Sequence, residues 1–252
     1  MRKALKILGF VLLALLLLLG GAAAYIAGTG IPKYAPGRVQ LAVEVTPERV
    51  ARGRRSAEML CVACHKDADT GKLTGHRMPD MPPQFGAAYS ANITQDKETG
   101  IGTWTDGEIA YLLRTGIKRD GSYAPPWMIK LPNLADEDLK DIIAFLRSDD
   151  PLVAPLQHKT PPSEPSLFTK FLCRVAFKPL PWPERSIPRP DENDPVAVGR
   201  YLVDAHAQCF SCHSADFAKV NDLAPEKSGG YLGGGNAPNF VAGFIDLGDL
   251  SE

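Results

Sequence analysis

The sequence predicts an all-α protein: a membrane-spanning helix, one small helical domain with long loops, and an incomplete second copy of that domain. Three observations support this prediction. An uncharged apolar run opens the chain of 252 residues. Amphipathic helix patterns with recognisable start and stop residues follow between residues 47 and 150. A stretch from residue 194 onward repeats the first of these patterns.

The N-terminal run predicts a membrane anchor. Arg2, Lys3 and Lys6 precede the uncharged segment Ile7–Ala27, and about 20 helical residues cross a bilayer core. Basic residues on the short side place that end inside and the bulk of the chain outside. We expect an uncleaved signal anchor in the bacterial inner membrane, single-pass, with periplasmic domains. The alternative is a cleaved signal peptide that ends in the small residues Gly20–Ala24.

Local helix signals organise the first domain. Thr46, followed by proline, predicts a helix start, and that helix runs towards Cys61. Thr105 and Glu108 form a capping box, and Gly116 is expected to end the helix that it opens. A third helix begins with three acidic residues and carries an apolar face of Leu139, Ile142, Ile143 and Leu146.

The remaining segments follow from composition and repetition. A Pro-rich stretch carries the apolar patch Leu167–Phe177, so we expect it to lie against a neighbour rather than serve as a flexible linker. Asp194 is a second N-cap, and the helix after it is expected to reach Cys209. The predicted segments are the anchor 1–30, a linker 31–46, the first domain 47–150, a connecting strap 151–193 and a partial second domain 194–252.

Two Cys-x-x-Cys-His motifs carry the chemistry. They contain Cys61, Cys64 and His65 in the first, and Cys209, Cys212 and His213 in the second. Two thiols at this spacing reach the two vinyl groups on one haem edge, and the adjacent histidine then becomes an axial ligand of the iron. A zinc site would need four sulfurs to converge from two separate repeats, and a disulfide at this spacing has poor geometry. The motifs therefore predict two covalent haem c sites.

Counting methionines selects the sixth ligand. Met59 precedes the first motif by two residues and is poorly placed. Met128, in the loop before the last helix of the first domain, is the preferred distal ligand, with Met81 next. Met78 and Met81 are otherwise expected to pack in their loop.

The second site lacks these parts. No methionine follows Met128, and the stretch after His213 is Gly-rich and ends in a short apolar tail, Phe240 to Leu250. The second domain is therefore expected to be incomplete, which fits either a fragment or a shortened reading frame. His206 and His158 are the remaining possible ligands, and both are expected to face solvent.

Four stretches carry a family resemblance: "TPERVARG", "SANITQDKETGIGTWTDGEIAYLLRTGIKRDG", "LADEDLKDIIAFLRS" and "DPVAVGRYLVDAHAQCFSCHSADF". With them the chain resembles the multihaem class I cytochrome c family, related to the cytochrome c subunits of membrane-bound alcohol and aldehyde dehydrogenases. The resemblance implies class I cytochrome c domains, with Met128 as distal ligand. It also implies an electron carrier without catalytic residues, working between a partner dehydrogenase and a quinone or terminal oxidase.

Two alternative functions would use the same residues. A two-haem peroxidase needs an open iron and an acid or base beside it, and a haem-based sensor needs a signalling domain that the chain does not show. The net charge of −1 does not indicate a nucleic-acid partner. Electron transfer is the main prediction, and the peroxidase and the sensor are its alternatives.

Overall fold

The computed structural model describes residues 2–124, 126–216 and 219–234. The apolar tail Phe240 to Leu250 and Pro125 lie outside the described residues. The prediction of a mostly helical chain is confirmed. Its helices are α1 (Arg2–Thr29), α2 (Pro47–Leu60), α3 (Val62–His65), α4 (Asp106–Thr115), α5 (Asp136–Leu146), α6 (Leu167–Val175), α7 (Pro195–Tyr201) and α8 (Phe210–His213).

Helix α1 covers the predicted apolar run. Among the described residues it is the one helix long and apolar enough to cross a membrane, and none of its residues is buried against the rest of the chain. Its 28 residues would extend about 42 Å at the rise of an α-helix. That length exceeds the thickness of a hydrocarbon core and leaves both ends for the headgroup layers.

Helices α2 and α5 cross closely at Gly53. A Cβ atom on this glycine would lie 1.8 Å from the backbone oxygen of Asp141, so only a hydrogen fits between the two helices. Ion pairs frame the crossing, with Arg49 at 2.7 Å from Glu137 and 2.9 Å from Asp141, and Arg52 at 2.6 Å from Asp141. The N-cap at Thr46 is confirmed, since its side chain accepts from the Arg49 N–H.

Helix α4 begins and ends as its sequence predicts. The Thr105 Oγ1 accepts from the Glu108 N–H at 3.1 Å, and the Glu108 carboxylate accepts from the Thr105 N–H at 2.8 Å. Gly116 ends the helix in the left-handed conformation, with φ of 80°. The apolar faces of α4 and α5 meet in one core, formed by Ile109, Leu113, Leu131, Leu134, Leu139, Ile142, Ile143, Phe145 and Leu146 among others.

A buried arginine fixes the loop between these helices. The Arg114 guanidinium has no exposed surface and donates to the carbonyls of Leu131 and Pro132 at 3.0 Å and of Leu134 at 2.5 Å. It also pairs with Asp136 at 2.7 Å. Burial lowers the pKa of Arg114, and the Asp136 carboxylate opposes that shift. The buried guanidinium stays charged because backbone carbonyls and a carboxylate replace the water molecules that would otherwise solvate it.

The strap runs along the first domain. Two residues of the strap, Glu164–Pro165 (β2), pair antiparallel with Gly86–Ala87 (β1), a contact too short to predict from sequence. Further along, Trp182 stacks on Tyr111 of α4 with ring centroids 5.8 Å apart. The Ile187 carbonyl then accepts from the Asp136 N–H at 2.8 Å, beside the start of α5.

The second unit departs from the predicted continuous helix. Helix α7 ends at Tyr201, a π-helical turn occupies Leu202–His206, and Gln208 has φ of 53° immediately before Cys209. The expected unbroken run to Cys209 is therefore wrong. Gly199, the counterpart of Gly53 in the repeat, has no described atom within 4 Å of the position that a Cβ would occupy, so no described helix crosses it there.

Polar contacts hold α7 and its π-helical turn against the first domain. The Tyr201 hydroxyl donates to Asp138 and accepts from the Ala135 N–H at 3.0 Å. The His206 Nε2 lies 3.0 Å from the Ser56 Oγ on α2. The expectation that His206 faces solvent is thus wrong, because its ring is partly buried against α2.

His158 also departs from its expected exposure. Its backbone N–H donates to the Thr99 Oγ1 at 3.0 Å, and its carbonyl accepts from the Asn92 side chain at 3.3 Å. These bonds draw the residue onto the long loop of the first domain, so it is only partly exposed.

Candidate haem-binding site

The first motif occupies the junction of α2 and α3. The Cys61 N–H still donates to the Ala57 carbonyl at 2.8 Å, while the Cys61 carbonyl accepts from the His65 N–H at 2.9 Å. One helical turn therefore separates the first thiol from the imidazole, and Cys64 lies between them. This local geometry brings the three side chains of the motif to the same wall.

That wall faces a large cavity of about 1260 Å³. The volume exceeds the 300–1,000 Å³ of ordinary small-molecule pockets, so a large planar group has room. The lining includes all three motif residues and Met128. Its other members are mostly apolar, among them Leu60, Leu113, Trp127, Ile129, Leu131 and Ile142.

His65 is oriented by a backbone carbonyl. Its Nδ1 lies 2.8 Å from the Ala91 oxygen, which assigns the proton to Nδ1 and leaves Nε2 as the free nitrogen. The ring lies deep in the domain but borders the cavity, so it is only partly covered by protein. Burial lowers the pKa of His65, and the Ala91 carbonyl opposes that shift. A neutral imidazole with one free nitrogen is the form that ligates a metal.

The thiols of the first motif are free. Cys61 and Cys64 form no disulfide with each other. Burial, with a smaller contribution from Cys64, raises the pKa of Cys61 to about 12, and burial also raises the pKa of Cys64. Both side chains therefore remain uncharged thiols at neutral pH.

The methionines divide around the same cavity. Met59, Met78 and Met128 border it, whereas Met81 is not among the lining residues. Met59 does so from α2, two residues before the first cysteine of the motif. The loop that carries Met128 is fixed just beyond it, where the Leu131 N–H donates to the Leu113 carbonyl at 2.7 Å. Arg114 holds the next residues of this loop. The sequence hinted at Arg114 only as one charge beside the apolar residues of α4.

The second motif lies beside this site without entering it. Cys209, Cys212 and His213 do not border the cavity, although Ala207 does. The Gln208 side chain donates to the Lys130 carbonyl at 2.6 Å, which ties the start of the second motif to the loop that carries Met128. Within residues 2–124, 126–216 and 219–234, no group of three His, Cys, Asp or Glu side chains is placed to hold a metal ion by itself.

Comparison with protein families identifies the first domain. The family model of cytochrome c matches residues 50–149, the segment that contains α3 to α5, most of α2 and the whole first motif. The first domain belongs to the cytochrome c family. Haem c is accordingly the cofactor of this cytochrome.

Known relatives of this cytochrome extend beyond the matched domain. It is 33% identical over 205 residues to the cytochrome c subunit of alcohol dehydrogenase (quinone) from Gluconobacter oxydans, covering 77% of this chain and 41% of that protein. It is 33% identical over 228 residues to a subunit of nicotinate dehydrogenase from Pseudomonas putida, covering 82% of this chain and 18% of that protein. A diheme cytochrome c-type protein from Cereibacter sphaeroides is 26% identical over 203 residues, 76% of this chain and 67% of its own length. The cytochrome thus spans less than half the length of the first two relatives.

The residues at the cavity suit the cofactor of the family. Two free thiols and an imidazole with an unoccupied nitrogen share one wall, and a thioether borders the same space. Imidazole and thioether are the usual axial pair of electron-transferring haems. The donor set and the volume of the cavity therefore both fit haem c.

Proposed function

We propose that this cytochrome is a membrane-anchored electron-transfer subunit that passes electrons from a partner dehydrogenase to a quinone or terminal oxidase. One observation carries the proposal: Cys61, Cys64, His65 and Met128 border a single cavity of about 1260 Å³. The first motif supplies three of these residues and the distant loop before α5 supplies Met128, and their convergence on one space supports a common ligand.

Each residue has a role in the proposed first site. Cys61 and Cys64 attach the haem, and His65 and Met128 are the axial ligands. Bound haem c supplies a one-electron couple at its iron, and ligation by His and Met raises its potential. The bond from Nδ1 to Ala91 fixes the plane of the imidazole, and apolar side chains around Trp127 line the cavity.

The second motif provides a second proposed site. Cys209 and Cys212 attach a haem there and His213 is its axial ligand, within a partial domain from residue 194. Ala207 borders the first cavity and stands two residues before Cys209, at most about 7 Å of extended chain. This short connection supports electron exchange between the two sites.

The partner and the compartment follow from the relatives and from α1. The relatives from Gluconobacter oxydans and Pseudomonas putida are named as dehydrogenase subunits, which supports a dehydrogenase as electron donor. Helix α1 is long and apolar enough to span a bilayer. With Arg2, Lys3 and Lys6 on its short side, the haem domains would face the periplasm of a single-pass inner-membrane protein.

The experiment counts haems in a host that matures c-type cytochromes. A pyridine haemochrome spectrum is compared with protein concentration for the full chain and for two double variants, Cys61→Ala with Cys64→Ala, and Cys209→Ala with Cys212→Ala. Stepwise reduction of each protein with a one-electron donor then shows how many electrons the chain accepts.

Two haems in the full chain and one in each double variant are expected, each accepting one electron reversibly. If the full chain carries one haem and only the Cys61 and Cys64 double variant loses it, the proposed second site is wrong and the first site stands. Absence of covalent haem from the full chain would contradict the assignment of both motifs.

A further inference from the structure

Helix α6 of the strap exposes one continuous apolar face. Leu167, Phe168, Phe171 and Val175 are 46%, 48%, 45% and 58% exposed. At 100° per helical residue these four positions fall within an arc of about 100°. Single exposed apolar residues are ordinary on a protein surface, but four large ones on one helical stripe mark an interaction face.

The opposite face of α6 is packed firmly on the first domain. Thr169 and Cys173, one helical turn apart, have no exposed surface. The Thr169 Oγ1 donates to the Phe85 carbonyl at 2.8 Å, and the Ser166 Oγ donates to the Gln84 carbonyl at 2.6 Å. The helix is therefore fixed in rotation, and its exposed stripe is a defined surface.

A third side of α6 contacts the end of α1. Lys170 Nζ donates to the Ala27 carbonyl at 3.2 Å, and the Arg174 guanidinium donates to the Thr29 Oγ1 at 2.5 Å and the Gly30 carbonyl at 2.6 Å. The last carbonyls of a helix lack partners within the helix and favour cations. Two cations of α6 therefore cap the C-terminus of the apolar helix.

The contact between α6 and α1 lies beside an aromatic ring of α1. The Arg174 guanidinium lies 5.5 Å from the ring centroid of Tyr25, an exposed residue in the penultimate turn of α1. Tyrosines are enriched where membrane helices leave the hydrocarbon for the headgroups. Helix α6 is thus attached to α1 at the height of the proposed membrane surface.

We propose that α6 is an interfacial helix that inserts Leu167, Phe168, Phe171 and Val175 into the outer leaflet of the bilayer that α1 crosses. The inference rests on the proposed membrane anchor. A short helix with a broad apolar face flanked by cations is the form that lies in the plane of a membrane interface. Lys170 and Arg174, beside the stripe, lie at headgroup height, where anionic lipids attract them.

The test crosslinks the full chain to lipid in its own membrane. The photoreactive residue p-benzoylphenylalanine replaces Phe171 in one variant, Leu16 of α1 in a second and Val196 of α7 in a third. Leu16 is 67% exposed and Val196 75% exposed, so all three sites are apolar and accessible. After irradiation of isolated membranes, mass spectrometry identifies what each side chain has joined.

Phospholipid adducts at positions 16 and 171 but not at 196 are the expected result. Lipid at 16 with protein or no adduct at 171 overturns the inference and leaves the anchor standing. Absence of lipid at both 16 and 171 overturns the anchor and this inference together. Lipid at 196 as abundant as at 171 shows unspecific contact and also overturns the inference.

Discussion

Arg114 is the residue on which the loop after Met128 depends. Its guanidinium lies in the core and donates to three backbone carbonyls and to Asp136. The three carbonyl bonds come from Nη1 and the Asp136 bond comes from Nη2. A lysine has only one side-chain nitrogen, so it cannot serve both the carbonyls and the carboxylate in the same way. The part of the proposed haem cavity formed by this loop thus depends on one arginine.

Replacing Arg114 should destabilise the loop that follows Met128. Arg114→Met leaves the carbonyls unpaired in the core, and we expect the free energy of unfolding to fall by roughly 3 kcal/mol. The free energy of unfolding of Arg114→Lys should lie between those of Arg114→Met and the parent protein. Denaturant unfolding followed by circular dichroism measures the loss, and the sulfur-to-iron charge-transfer band reports whether Met128 still ligates. A band unchanged in both variants would contradict the positioning role.

The proposed distal ligand, Met128, can be tested by three matched substitutions. Axial ligands set haem potentials over a range of about 0.8 V, so Met128→Ala should lower the potential of the first haem by on the order of 0.1 V. Met81→Ala should leave the potential unchanged, because Met81 does not border the cavity. Met78 does border it, so Met78→Ala is the sharper control. If a redox titration shows a lower haem potential only in the Met78 variant, Met78 is the distal ligand instead of Met128.

At the scale of elements, two glycines at equivalent positions of the repeat have different surroundings. Gly53→Ala would place a Cβ at 1.8 Å from the Asp141 backbone, so α2 and α5 must separate. We expect a loss of about 3 kcal/mol in the free energy of unfolding. Gly199→Ala meets no described atom within 4 Å and should stabilise α7 by about 0.5–1 kcal/mol. Equal effects of the two substitutions in denaturant titrations would refute the close crossing.

The ion pair between α2 and α5 predicts a pH dependence. Hydrogen bonds from Lys140 and Arg49 lower the pKa of Glu137 from 4.5 to about 2. Because the pKa is lower in the folded state, this stabilisation is complete above pH 4.5 and is lost as the pH falls towards 2. In Glu137→Gln the unfolding free energy should therefore decline less steeply across that interval. If the unfolding free energy of parent and variant falls equally steeply with decreasing pH, the pKa of Glu137 is not lowered in the folded protein.

Elements with local signals were predictable, and those made by distant contacts were not. Helices α2 and α4 begin at Thr46 and Thr105 because each cap is formed within four residues of the chain. The π-helical turn at Leu202–His206 has no such local cause. It lies where His206 meets Ser56, 150 residues earlier in the chain. The pairing of β1 with β2 likewise depends on residues far apart in sequence.

At the scale of the whole molecule, one carboxylate joins three segments. The Asp141 side chain is almost fully buried and pairs with Arg49 and Arg52 of α2 and, at 2.5 Å, with Arg189 of the strap. Arg189 also pairs with Asp138, which accepts from the Tyr201 hydroxyl. First domain, strap and second unit thus share one polar network.

Removing the charge at its centre should release the strap. Asp141→Asn leaves three guanidinium groups without their shared partner, and we expect a loss of about 3 kcal/mol in unfolding free energy. Hydrogen exchange should rise in the peptide that contains Arg189. Asp149→Asn, an exposed aspartate near the end of the same domain, should change stability by less than about 0.5 kcal/mol. If hydrogen exchange around Arg189 is unaltered in the Asp141 variant, this polar network does not hold the strap against the first domain.

The site was predictable to the extent that its residues are neighbours in sequence. The spacing of Cys61, Cys64 and His65 is encoded in five consecutive positions, so the chemistry follows directly from the motif. Met128 is preferred for its place in the loop before the last helix of the domain, and Met59 and Met78 border the cavity as well. The contact of Ala207 with the first cavity needed the folded chain, because it depends on how the second unit docks.

In the proposed membrane-anchored arrangement, the contact between α6 and the last turn of α1 has a kinetic consequence. Lys170 and Arg174 hold the anchor on one side of the haem domain, so the domain cannot tumble freely at the end of a tether. Its encounters with a partner in the same membrane become a search in two dimensions at a fixed height. Lateral diffusion and the orientation of the haem edge, more than bulk concentration, would then set the rate at which electrons are delivered.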